Sequence, residues 1–198
     1  MMTRLIVLLL AIFVPLKIEG KEKVLDRKIT ISLVIQHNGE SELPLNSEEM
    51  EVVKKEISKI FAEAGVSVFY SDPMFYDSTI QRVNLVNGPL RVCPKANLPP
   101  PMGCALFDFN HNPIWAYVDV KGLKEIEAMI DSSAAGRLVA LVVVHETVHL
   151  LNIRHKEEKT VGLMKRTHDA QEWLDSTQTG YWSSREIKNL RARLKPPN

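Results

Sequence analysis

The 198-residue chain has only two cysteines, too few for a disulfide-built scaffold. It has little net charge: 25 Lys and Arg stand against 24 Asp and Glu, a formal +1. No basic patch with interleaved aromatics recurs, so nucleic acid is not an expected partner. No apolar run free of charged residues reaches the roughly 17–25 residues that cross a bilayer as a helix. Internal repeats, low-complexity stretches and domain linkers are also missing. What remains is ordinary globular composition, 45% hydrophobic and 25% charged, on a chain long enough to bury one real core.

An apolar run without any charged residue lies near the start. Residues 5–16 are almost wholly apolar, follow Arg4 and end at Lys17, the layout of a secretory signal peptide. Residues 1–20 are therefore expected to direct export, leaving a secreted or periplasmic protein. Gly20 suits a cleavage site but Ile18 does not, so an uncleaved N-terminal anchor stands as the other reading. Export suits the two cysteines. Cys93 and Cys104 bracket a proline-rich segment that can form neither helix nor central strand, and a bridge between them would contribute about 2–4 kcal/mol. Two buried free thiols are the alternative.

Residues 29–36 read as a β-branched strand, 66–70 as a second and 80–86 as a third. Between the first two, Met50, Val53, Ile57, Ile60 and Phe61 recur at helical spacing, with Ser47 as the expected N-cap and Gly65 as the stop. Residues 105–109 and 114–118 read as short strands joined by a turn at 110–113. A second helix is expected over about 133–151 and a last one over about 184–194. Together these make an α+β domain over residues 21–198, a mixed twisted sheet with helices packed against it.

The chemistry is concentrated in residues 145–155, His-Glu-Thr-Val-His-Leu-Leu-Asn-Ile-Arg-His. On a helix, His145 and His149 stack on one face about 6 Å apart along the axis and can share one metal ion. On a strand they would lie about 13 Å apart. The valine run before them suggests a strand, but an apolar stretch from 134 to 151 is too long for one and suits a buried helix. Glu146 falls about 100° round that helix, beside the metal, where a carboxylate can relay a proton. His155 is too far along for the same face, so the chain must turn back, and Asn152 tolerates the left-handed conformation that would let it. Three imidazoles leave a fourth tetrahedral position open, as a catalytic zinc site needs. His37 and His111, in turns beside Asn, are expected to be solvated.

This stretch resembles the long zinc signature of the metzincin metallopeptidases, His-Glu-x-x-His-x-x-Gly-x-x-His, with Asn152 in the glycine's place. Val161-Gly162-Leu163-Met164 is similar to that family's methionine turn. The resemblance implies a metzincin-like zincin domain with an active-site helix and a C-terminal helix. It implies one Zn2+ on His145, His149 and His155, Glu146 as general base, and Met164 as a packing floor. Residues 103–110 resemble the edge strand that binds extended substrates in matrixins, which puts Ala105, Leu106 and Phe107 against a polypeptide substrate. Lys156 matches none of the usual subfamily residues, and no tyrosine closely follows Met164. Only a few residues separate the export segment from the first strand, which leaves no room for a propeptide and points to restraint by a partner such as a protein inhibitor. The expected activity is a secreted zinc endopeptidase. Its rival is a zinc-bound interaction or inhibitory module without turnover.

Overall fold

The β-branched runs pair as strands because their alternate side chains can be buried on both faces of a sheet. In the computed structural model, residues 29–37, 44–74, 77, 79–90, 93, 101–130, 136–155, 163–164 and 180–195 are described. Residues 1–20, expected to direct export, and Lys156 lie outside them. Among the described residues no helix is long and apolar enough to cross a membrane.

Strands β1 (Ile29–His37), β2 (Val66–Tyr70), β3 (Gln81–Val86), β4 (Gly103–Phe107) and β5 (Pro113–Asp119) form one sheet in the order β2-β1-β3-β5-β4. The β1–β2, β1–β3 and β3–β5 pairs are parallel, and β4 runs antiparallel to β5 at the edge. The β4–β5 hairpin is held at its tip by Asp108, whose carboxylate accepts from the N–H groups of Asn110 and Asn112.

Helix α1 (Ser47–Glu63) starts one residue earlier than expected. Asn46, not Ser47, is the N-cap: its side chain accepts from Glu49 N–H at 2.9 Å while the Glu49 carboxylate accepts from Asn46 N–H at 2.8 Å. That reciprocal pair satisfies two otherwise unpaired donors, which a Ser47 cap would not. Gly65, at φ +70°, ends the helix as expected. Helix α2 (Val120–Ile130) is a separate helix that the sequence pattern did not announce, because it follows β5 without a turn residue. Helix α3 (Arg137–Leu150) is the expected buried helix, and α4 (Ser184–Leu194) closes the chain.

Val53, Ile57, Ile60 and Phe61 of α1 and Leu138 to Val144 of α3 are buried with Leu33, Val83, Leu85, Ala116 and Val118 of the sheet in one core. This burial overrides the strand preference of the α3 valines. On the opposite face of the sheet a small second cluster gathers Val86, Leu90 and Tyr117, with Cys93, Cys104, Leu106 and Trp115 packed against it. Helix α2 has a specific duty towards α3. Gly136, the α3 N-cap at φ +81°, has no side chain to cap the helix. The buried Glu127 carboxylate of α2 supplies the acceptor instead, taking the Gly136 N–H at 2.9 Å and the Leu138 N–H.

Candidate metal centre

Helix α3 carries His145, Glu146 and His149, and stops immediately after them. Asn152 adopts φ +59°, the left-handed residue expected at this point. It reverses the chain so that Ile153 N–H bonds back to Val148 O and His155 returns to the helix. His145, His149 and His155 thereby come together as a group able to hold a metal ion. The Nε2 of His155 lies 3.2 Å from that of His145 and 2.6 Å from that of His149. Zinc with nitrogen ligands at about 2.0–2.1 Å needs ligand separations of roughly 3.3 Å in a tetrahedron; the His145–His155 separation matches this, and His149 and His155 would move apart by about 0.7 Å to share the ion.

The tautomers suit a metal as well. His145 Nδ1–H donates to Leu163 O at 2.8 Å, and His149 Nδ1–H donates to Ile153 O at 2.9 Å. Each bond leaves Nε2 as a bare lone pair aimed at its neighbours. Backbone carbonyls are common outer partners of metal-binding histidines for this reason. Burial, with His155 alongside, lowers the His149 pKa to about 4 against a weaker opposing bond to Ile153, so this imidazole is neutral at physiological pH. Three imidazole nitrogens turned towards one another suit a cation held between them. The residues fit one Zn2+.

Glu146 lies beside the triad and is 5% exposed. Burial pushes its carboxyl up to about 8, against a hydrogen bond from the Ala105 N–H that favours the carboxylate. A dication nearby would also favour the charged form. Gly103, two residues earlier on β4, makes the close approach possible. A Cβ there would meet Val142 Cγ1 at 2.6 Å and Glu146 Oε1 at 2.7 Å.

Met164 is 2% exposed and belongs to the main core, and the preceding Leu163 carbonyl holds His145. Val161 and Gly162 lie outside the described residues. Of the three β4 residues expected to meet substrate, Ala105 contacts the Glu146 carboxylate, Leu106 packs on the opposite face of the sheet, and Phe107 is 39% exposed. The two cysteines are bonded to each other, with Cα atoms 6.1 Å apart. His111 is exposed at φ +61°, as expected. His37 departs from the expectation. It is the last residue of β1 rather than part of a solvated turn, and partial burial lowers its pKa.

Two supporting residues escaped the sequence reading. Glu127 caps the metal-bearing helix. Glu186 forms a capping box with Ser183 at the start of α4, and its other oxygen accepts from Met164 N–H at 2.7 Å. The Ser-x-x-Glu spacing could have revealed the cap, but not the reach to Met164 across 22 positions. Glu186 thus pins the turn whose Leu163 carbonyl orients His145. Replacing Glu186 with alanine is expected to weaken zinc binding about tenfold, the low end for outer partners of metal ligands. Competition with a chromophoric chelator measures this, and an unchanged affinity would contradict it.

In sequence the chain matches no family model and no curated protein. Two of the solved structures that it resembles carry descriptive names. One is archaemetzincin from Methanopyrus kandleri, with a TM-score of 0.57, 15% identity, and coverage of 87% of this chain and 100% of that one. The other is a zinc-dependent peptidase from Methanocorpusculum labreanum, with a TM-score of 0.54, 14% identity, and coverage of 82% and 100%. Together with the three convergent histidines, this likeness establishes that the chain has a zinc-metallopeptidase fold.

Proposed function

We propose that this protein is a zinc-dependent endopeptidase of metzincin type that hydrolyses internal bonds of extended polypeptides. The observation that carries the reading is a buried carboxylate, Glu146, set beside three imidazoles whose Nε2 atoms converge. His145, His149 and His155 would hold the ion. Zinc bound there supplies Lewis acidity, which brings the ionisation of water down towards neutral pH. Glu146 accepts a proton at its free carboxylate oxygen from the attacking water and delivers it to the departing amine nitrogen. The Ala105 N–H holds the second oxygen, so the carboxylate keeps one orientation in both steps. Low exposure around Glu146 strengthens these interactions by excluding bulk solvent.

The polypeptide is proposed to lie along β4, the antiparallel edge of the sheet, with Ala105 and Phe107 facing it. Residues 1–20 are proposed to direct the protein to an extracytoplasmic space, with 21–198 acting as the catalytic domain. The decisive experiment incubates the zinc-loaded protein with an unfolded polypeptide. Cleavage at internal bonds should stop on adding a chelator and return with one equivalent of zinc. Cleavage indifferent to the chelator would refute a metal mechanism.

A further inference from the structure

The Cys93–Cys104 bridge joins β4 at the residue between the two that touch Glu146. Side chains alternate along a strand, so Gly103 and Ala105 face α3 while Cys104 points to the opposite side of the sheet. There it is bonded to Cys93 and packs in the small cluster around Val86, Leu90 and Tyr117. On the α3 side, Ala105 N–H donates to the Glu146 carboxylate, and Gly103 has no Cβ to displace it.

Among the described residues, β4 is secured otherwise by β5, by the Asp108 hairpin tip and by Ala105 packing on the main core. It has five residues, a single neighbour in β5, and a register irregularity between Leu106 and Phe107. Short edge strands with one partner open more readily than central ones. The metal ligands are held separately, His145 by Leu163 O and His149 by Ile153 O, and neither bond involves β4.

We propose that the Cys93–Cys104 disulfide is a positioning device for Glu146. By anchoring β4 from the far side of the sheet it presses Gly103 and Ala105 onto the carboxylate, so opening the bridge releases the base but not the metal ligands. The consequence for catalysis rests on the peptidase reading; the clamp itself does not. Activity would then depend on an oxidising compartment.

The test reduces the zinc-loaded full chain with a water-soluble phosphine. The phosphine attacks the disulfide and is oxidised to its oxide with oxygen from water, and the two sulfurs leave as thiols carrying the water's protons. A Cys93→Ser/Cys104→Ser double variant gives the same open state without reductant. Hydrogen exchange at the Ala105 amide should speed up about tenfold or more in both, with zinc still at one per chain. The value of kcat should fall about tenfold or more, as small misplacements of catalytic groups do. In Glu146→Gln, opening the bridge should cause no comparable further loss, because the clamp acts through that side chain.

Unchanged Ala105 exchange on reduction overturns the proposal, as does loss of zinc in step with activity. An equal further loss in Glu146→Gln also overturns it, since the bridge would then serve only the substrate strand. If the double variant does not fold, Gly103→Ala tests the same clamp with the bridge intact. It should speed Ala105 exchange while zinc is kept, and unaltered exchange counts against the clamp. Faster exchange on reduction in a parent that cleaves no peptide sinks the peptidase reading and leaves the clamp standing.

Discussion

Replacing Glu146 with glutamine is expected to lower peptide hydrolysis by a factor of about 100 or more while zinc content and folding survive. Glutamine keeps the volume of a side chain that is 5% exposed, and its amide oxygen can still accept from the Ala105 N–H. What it removes is the proton acceptor. Because Glu146 is not among the three converging ligands, metal analysis should still find one zinc per chain. Initial rates on an unfolded substrate, zinc content and the thermal midpoint together check the result. A glutamine variant as fast as the parent would remove Glu146 from the mechanism. A parent that binds zinc yet cleaves nothing under any condition would favour the non-catalytic binding module, in which the same site serves recognition alone.

His149→Ala should behave in the opposite way, losing metal and activity together. It removes one of three ligands and also the Nδ1 bond to Ile153 O, which braces the turn leading to His155. Two remaining imidazoles cannot preserve the site's affinity. For the parent, zinc at a thousand times its Kd should add about 4 kcal/mol of stability through linkage. The unfolding midpoint of His149→Ala should be nearly indifferent to the same zinc concentration. His111→Ala, at an exposed hairpin turn, serves as the control and should retain the parent's response. A zinc-dependent midpoint in His149→Ala equal to the parent's would mean that the ion sits elsewhere.

Much of the site is legible in the sequence because its chemistry is local. Helical period alone puts His145 and His149 on one face, and Asn152 marks where the chain must reverse. The β-branched runs, the 3.6-residue period of α1 and the Ser183-x-x-Glu186 start of α4 are likewise written in neighbouring residues. Even the Cys93–Cys104 pairing needed only a count of two and a short intervening loop.

The contacts that make the site rigid were not legible. No local pattern says that Glu127 of α2 caps α3, or that Glu186 reaches Met164 and so steadies the carbonyl behind His145. Nor does one show that an edge strand would lay Gly103 and Ala105 against Glu146. These depend on which elements pack together, and packing is decided by burying whole faces rather than by any residue's own preference. The sequence by itself determined which groups could bind zinc and move a proton, because period and residue type act over a few positions. Only the tertiary structure decided how firmly those groups are held, because their outer partners come from elements that meet only once the core has closed.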